Sequence, residues 1–375
     1  MRHPRYASAR SSAWSDQYYQ ICVKLMGGLT QTYSMNARWV LARRPVGLVA
    51  ESDFRLEEVP VPSMGDGQFL VQVIYLSLAP VMAQYVLDGG VIEKPVAIGE
   101  TMRGRGVGLV VSSRHAGFAV GDVVHGPFGW QKFAISDGKG LVFKMRDWAG
   151  AISNGLGVLG LTGFTAYFGL FDVARVRAGD TVLVSGAVGG VGSVVGQLAR
   201  IAGADPLGIA GSDAKCSIAV ESLRYRAAIN YNSENVRSRI ATLAPDGLNV
   251  YFDNVGGEIL EAAIDNMTHE GRIAICGSIS QYLANDSKKG PANYFNIVYR
   301  NVRMHGFHIY SYASRFAEAE ARLARWISDG RLAPREDRIQ GLESMPAALQ
   351  RLFASANTGK QVVQIADDSV SVGVS

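Results

Sequence analysis

The chain has 375 residues, enough for two or three domains, and its 48% hydrophobic and 19% charged content excludes both a disordered polymer and a stapled miniprotein. A net charge of +4 with no run of five like charges argues against an extended nucleic-acid surface and is compatible with a local anion site. The three cysteines, Cys22, Cys216 and Cys276, are too few and too far apart for a disulfide framework or a cysteine-rich zinc site, so a cytoplasmic location is expected.

In chain order, residues 1–34 stand apart: Arg2, Arg5 and Arg10 lie among Ser, Ala and Tyr, and the first acid is Asp16. Such an acid-poor leader reads either as an organelle transit segment or as an extension upstream of a working start at Met26 or Met35, and it is set aside from the fold. Residues 35–160 hold short β-type runs, Phe69–Tyr75, Gly106–Val111 and Gly121–His125, separated by turn signals such as Gly65-Asp66-Gly67, which predicts a β-rich, barrel-like unit. The longest uncharged stretch, 148–171, carries six glycines with Ser153, Asn154, Thr162 and Thr165, and reads as a buried helix and turn; no membrane span is expected.

Over 161–306 the rhythm changes to alternating strands and helices, with strands at Thr181–Ser185, Leu207–Ala210, Val250–Phe252 and Arg272–Cys276. That alternation predicts a doubly wound parallel sheet. An amphipathic helix begins near Phe316, and residues 307–375 close with the apolar run Gln361–Ile365, read as a return to the first unit.

The strongest local signal is Thr181–Gly196, a β-branched strand running into Gly186, Gly189 and Gly192 and then into an apolar helix. Glycines there let backbone approach a pyrophosphate, and the helix start offers free N–H groups. The second strand ends in Gly211–Lys215, where an NAD enzyme would place an acid for the ribose hydroxyl. A small residue stands there instead, with Ser212 and Lys215 available to a 2′-phosphate, so NADP is the expected cofactor. Asp213 is read as the cap of the next helix.

A catalytic zinc would need cysteine, histidine and carboxylate ligands converging in the β-rich unit, and the sequence offers no such set. His305 and His308 lie in Met304–Tyr310, read as strand, where residues three apart face opposite ways. Hydride transfer without metal needs donors for developing oxygen charge and a weak acid for the proton. Tyr282 follows Cys276–Gln281 at a strand's carboxyl end and is the candidate.

The segments Asn36–Ala42 (NARWVLA), Phe54–Glu57 (FRLE), Tyr75–Leu78 (YLSL), Gly129–Gln131 (GWQ), Gly160–Tyr167 (GLTGFTAY), Gly192–Gln197 (GSVVGQ), Ala210–Lys215 (AGSDAK), Tyr251–Gly257 (YFDNVGG) and Gly271–Gly277 (GRIAICG) carry a resemblance over about residues 36–366. The chain resembles the zinc-independent medium-chain dehydrogenase/reductase superfamily, in the NADP-dependent alkenal/enone reductase group that includes prostaglandin, plant double-bond and bacterial curcumin reductases. The resemblance implies a GroES-like β-barrel-type domain plus a Rossmann domain, a homodimer, and hydride transfer from NADPH to the β-carbon of an α,β-unsaturated aldehyde or ketone. By position it implies Gly189, Gly190, Val191 and Gly192 at the pyrophosphate, and Lys215 and Tyr231 at the 2′-phosphate. Asn254, Cys276, Gly277, Ser278, Ile279, Ser280 and Tyr282 would border the nicotinamide half, with Phe307, His308, Ile309 and Asn357 completing the pocket. Where the family reads Asp-Pro-Tyr-Met this chain has Ala79–Met82, so Val81 replaces an aromatic pocket residue. A quinone oxidoreductase, and an NADPH-binding protein without turnover, are the competing readings.

Overall fold

A computed structural model of the chain describes residues 34–87, 94–146, 150–282 and 289–368. The leader, apart from Ser34, and with it Cys22, lies outside the described residues.

The first unit opens with an antiparallel ribbon of β1 (Met35–Leu41) and β2 (Phe54–Pro60). β3 (Phe69–Ser77) is almost continuously buried because both of its faces are covered. Phe69, Val71 and Val73 enter one apolar cluster, while Ile74 and Tyr75 enter a second on the opposite face. A register shift between Val73 and Tyr75 moves the alternation by one, so Leu76 and Leu78 return to the first cluster. α1 (Met82–Val86) follows at once and buries Met82, Ala83, Gln84 and Val86. β4 (Gly106–Ser113), β5 (Val123–Gly126), β6 (Phe133–Ser136) and β7 (Phe143–Lys144) complete the antiparallel part of the sheet, with β6 pairing β3 off the main path.

The second unit begins with α2 (Leu161–Phe168). It then alternates β8 (Thr181–Ser185), α3 (Gly192–Ile201), β9 (Asp205–Ala210), α4 (Asp213–Ser217), β10 (Ala227–Asn230), α5 (Val236–Leu243), β11 (Leu248–Asp253), α6 (Gly257–Asp265) and β12 (Met267–Ile275). Two short helices, α7 (Ile279–Tyr282) and α8 (Phe295–Tyr299), precede the edge strand β13 (Arg303–Gly306). The sheet is parallel throughout, in the order β10-β9-β8-β11-β12-β13. Order reverses between β8 and β11, which opens a crevice at their carboxyl ends.

α9 (Phe316–Ser328) buries Phe316, Ala319, Leu323 and Trp326 in the cluster that also holds α2 and α3. The predicted amphipathic stripe is thus the packed face. Its partner is the parallel sheet's own helix layer. β14 (Glu336–Gln340), α10 (Met345–Phe353) and β15 (Lys360–Gln364) then join the first unit: β15 pairs antiparallel with β3, β14 lies outside it, and Met345, Leu349 and Leu352 fill the first cluster. No helix among the described residues is long and apolar enough to cross a membrane.

His125 on β5 is 1% exposed, stacked on Phe143 at 4.5 Å and in contact with the Arg105 guanidinium at 3.3 Å. Burial first, then the charges of Arg105 and Lys360, hold its pKa well below 6.5 and keep the ring neutral. The unfolded chain takes up a proton near 6.5 that the folded ring refuses, so stability falls as pH drops below that value. Between pH 6.5 and 5 this one residue is expected to cost up to about 2 kcal/mol. Urea unfolding at pH 7 and pH 5 measures it: His125→Gln should lose less stability on acidification than the parent, and equal losses would remove His125 from that role.

Candidate active site

The glycine-rich turn 186–192 sits at the switch point. Gly186 takes φ +62°, a conformation that L side chains rarely adopt, and turns the chain out of β8. A Cβ on Gly192 would lie 2.2 Å from the Gly186 carbonyl oxygen, so only glycine lets α3 start this close to the strand. The first turn of α3 is bonded onto the glycine turn, the Ser193 amide donating to the Gly189 carbonyl at 2.9 Å and the Val194 and Val195 amides to the Val191 carbonyl at 3.0 Å, so the positive end of the helix dipole lies at this turn. A dinucleotide pyrophosphate fits a turn of this kind.

Across the crevice, Asp253 ends β11 at 1% exposure. Its Oδ1 accepts from the Tyr251 hydroxyl at 2.7 Å, the Gly256 amide at 2.8 Å, the Val255 amide at 2.9 Å and the Ser185 hydroxyl at 3.3 Å. Oδ2 is buried with no hydrogen-bond partner among the described residues. Burial raises the carboxyl pKa, while the four donors oppose the shift. Asn254 is tied to the same place, its amide to the Ser185 hydroxyl at 2.9 Å and its side chain to the Ser185 carbonyl at 2.7 Å.

The segment after β12 folds back onto these residues. Cys276 and Gly277 donate their amides to the Asp253 carbonyl, at 2.8 and 3.2 Å, and Ile279 and Ser280 donate to the carbonyls of Asn254 and Val255. The Ser280 hydroxyl also reaches the Val255 carbonyl at 2.6 Å. This fold places the Tyr282 hydroxyl over Gly277, where it accepts from the Ser278 amide at 3.4 Å. Burial raises the Tyr282 pKa, so the phenol is protonated at neutral pH. Burial, then the Asp253 charge, push the Cys276 thiol up to about 12, which leaves it a poor nucleophile. From the first unit, Gln84 donates to the Tyr282 carbonyl at 3.4 Å.

At the far end of the crevice, Ser212 caps α4 by accepting the Lys215 amide at 3.3 Å. This corrects the reading of Asp213 as the cap. Asp213 accepts instead from the Asn230 side chain at 2.7 Å, so its carboxylate is held by β10. The Tyr231 ring lies against Gly211, and the Lys215 ammonium donates to the Ser355 carbonyl beyond α10. Burial lowers the Lys215 pKa; nearby Asp337 opposes that shift.

Strand β13 ends at Gly306, shorter than the reading of Met304–Tyr310 as strand. Phe307 still donates its amide to Ile275 at 3.4 Å, but a 3-10 turn begins at Ile309, where burial of Ile309 and Tyr312 against α2 replaces sheet pairing. His308 packs edge-on to Tyr310 with ring centroids 4.6 Å apart. Asn357 bonds within its own turn to the Gly359 carbonyl at 2.9 Å, and Gly359 donates to Val188 at 2.6 Å, laying this segment along the glycine turn. Thus Gly189 to Gly192, Asn254 and Cys276 to Tyr282 gather at the carboxyl ends of β8, β11 and β12 with the Asn357 turn laid alongside, Ser212, Lys215 and Tyr231 follow the ends of β9 and β10, and His308 packs on Tyr310.

Three residues absent from the sequence-derived set matter here: Ser185, Asp253 and Gln84. Asp253 left a signal, an acid at the end of an apolar strand before two glycines. Ser185 and Gln84 left none, because their partners are 69 and 198 residues away. Among the described residues no group of three or more His, Cys, Asp or Glu side chains is placed to hold a metal.

A 3-2-1-4-5-6 parallel sheet with a glycine turn at its switch point, joined to a β-rich unit that reaches into the same crevice, defines a two-unit dinucleotide-dependent oxidoreductase. Comparisons with known proteins agree. Residues 37–143 match the family described as the N-terminal domain of oxidoreductase, and residues 190–325 the one described as zinc-binding dehydrogenase. The NADPH-dependent curcumin reductase of Escherichia coli is 36% identical over 343 residues, 90% of this chain and 99% of that protein. The NADP(+)-dependent 2-alkenal reductase of Nicotiana tabacum is 35% identical over 336 residues, 88% of this chain and 97% of its own. The crystal structure of CurA from Vibrio vulnificus in complex with NADPH superposes with a TM-score of 0.82 at 37% identity, covering 88% of this chain and 99% of that one. The chain belongs to the zinc-independent medium-chain dehydrogenase/reductase superfamily, in its NADP-dependent alkenal/enone reductase group.

Proposed function

We propose that this protein reduces the carbon–carbon double bond of α,β-unsaturated aldehydes or ketones. NADPH supplies the hydride, delivered to the β-carbon, and the α-carbon then takes a proton. The observation that carries this reading is the Tyr282 phenol, buried and protonated at the crevice, on a turn anchored to the same Asp253 that orders the switch point. We assign the pyrophosphate to Gly189, Gly190, Val191 and Gly192, and the 2′-phosphate to Ser212, Lys215 and Tyr231. Asn254, Cys276, Gly277, Ser278, Ile279, Ser280 and Tyr282 would border the nicotinamide half, with Phe307, His308, Ile309 and Asn357. We propose domain limits at 35–160, 161–306 and 307–375, with α9 of the last segment packed on the second unit and only β14, α10 and β15 returning to the first; a cytoplasmic location accords with the free thiols of Cys216 and Cys276.

In this reading the residues divide the chemistry. Tyr282 holds the proton: its raised pKa keeps the phenol intact until negative charge builds on the enolate, when transfer becomes favourable. The Ser278 amide donates to the phenolate oxygen and stabilises the charge left on it. Gln84 and the Leu78–Val81 segment wall the acceptor side, and Val81 leaves more room there than the aromatic residue usual in the family.

We further propose a homodimer built on the β13 edge. That strand is exposed along its length with one side unpaired among the described residues, and beside it Phe295, Val298 and Tyr299 are 55%, 68% and 75% exposed.

NADPH oxidation by the purified protein should be fast with 2-alkenals and enones and slow with quinones; turnover of quinones alone would replace the reductase reading by a quinone oxidoreductase. With Lys215→Ala, the Kd for NADPH should rise about tenfold or more, since charge-assisted bonds to phosphate are lost, and the Kd for NADH should not move. Equal affinities before and after would reassign the 2′-phosphate. Tyr282→Phe should lower kcat by about 10² or more with NADPH binding intact. Full turnover in that variant would hand the proton to water. Sedimentation should give twice the 40.3 kDa chain mass, and Val298→Glu with Tyr299→Glu should give the single mass; an unchanged dimer would move the interface elsewhere.

A further inference from the structure

Lys360 opens β15 at 7% exposure, and its ammonium has one hydrogen bond among the described residues, to the Leu78 carbonyl at 2.6 Å. No carboxylate lies within ion-pair distance of it among the described residues. The carboxylate that acts on it from farther off is Glu336, which is paired to Arg338. A buried, unpaired ammonium is costly to keep in a core strand, so its retention calls for a task.

Its surroundings identify one. Along its stem the side chain lies against the glycine turn: a Cβ on Gly190 would stand 3.3 Å from Lys360 Cδ. The residue before it, Gly359, bridges Gly189 and donates to Val188. At its tip Lys360 holds Leu78, whose amide in turn donates to the Gln361 carbonyl at 3.2 Å. Leu78 leads through Ala79, Pro80 and Val81 into α1, and Gln84 on α1 reaches the Tyr282 carbonyl. One side chain therefore spans from the cofactor turn to the segment that walls the acceptor side. A carbonyl at the end of a strand is a weak anchor unless a charged donor holds it.

We propose that Lys360 is a positioning residue for the reduction, fixing the Leu78–Gln84 segment against the glycine turn so that acceptor and cofactor sites keep one spacing. The proposal rests on the reductase reading for its kinetic part. Its structural part does not. Lys360→Met keeps an unbranched stem out to the Cε position and removes the donor.

In Lys360→Met the KM for a medium-chain 2-alkenal should rise about tenfold, in line with the sensitivity of aligned reactants to small displacements. The NADPH Kd, read by nucleotide fluorescence, should change less than about threefold, since the donor faces Leu78 rather than the cofactor. Amide hydrogen exchange over residues 78–86 should quicken while β8 and β11 stay protected. Lys360→Arg, which keeps a charged donor, should restore slow exchange and much of the KM, and it serves as the comparison if the methionine variant does not fold. Unchanged exchange and KM in a folded Lys360→Met, or no recovery with arginine, would overturn the proposal. Loss of NADPH affinity with an unchanged alkenal KM would overturn it too, by making Lys360 a cofactor residue. Quickened exchange in the variant together with no alkenal turnover by the parent would leave the tie standing and remove the reductase reading.

Discussion

The crevice depends on one carboxylate. Asp253 Oδ1 gathers a tyrosine hydroxyl, a serine hydroxyl and two backbone amides in a space almost closed to water. In such a space an unmade hydrogen bond is costly, so the four donors are held to one geometry. Ser185 thereby fixes the end of β8, and the Val255 and Gly256 amides fix the turn into α6. The Asp253 carbonyl does the same for the chain after β12. Three strand ends are registered on one residue, and the glycine turn and the Tyr282 turn are placed relative to each other through it.

The second organising feature is the late return of the chain. After α9 has packed with α2 and α3, β15 inserts beside β3 and α10 fills the first unit's core. The short stretch Asn357–Lys360 is thus shared: its backbone bridges the glycine turn while its next residues are sheet in the other unit. A two-unit oxidoreductase needs its cofactor and acceptor walls to agree in distance, because hydride transfer tolerates little misplacement. Here agreement comes from a segment belonging to both units rather than from a broad interface alone. The Trp39 indole, which donates to the Leu342 carbonyl at 2.8 Å, ties the start of the first unit to the same return.

Much of this was legible in the residues themselves. The strand Thr181–Ser185, the helix after Gly192 and the buried stripe of Phe316, Ala319, Leu323 and Trp326 follow from local pattern, and each stands where periodicity places it. Local readings failed where a tertiary partner outweighed a local preference. Asp213 has the chemistry of a cap, yet Asn230 engages it and leaves capping to Ser212. Residues 307–310 have the composition of a strand, yet beyond Gly306 the sheet edge stops and burial against α2 turns the chain into a 3-10 coil.

What the sequence determined by itself is therefore the kind of units present, their order, the glycine turn and the absence of an acid at the second strand's end, since all of these depend on neighbours in the chain. The tertiary structure alone decided that Asp253 is the common anchor, that Gln84 meets Tyr282, and that Lys360 spans from the cofactor turn to Leu78. Each of these joins residues far apart in the chain, up to 282 positions in the case of Lys360 and Leu78, and burial rather than local propensity sets their value. An aspartate or a lysine carries no mark in sequence of whether water will be taken from it, and it is the removal of water that makes these contacts decisive.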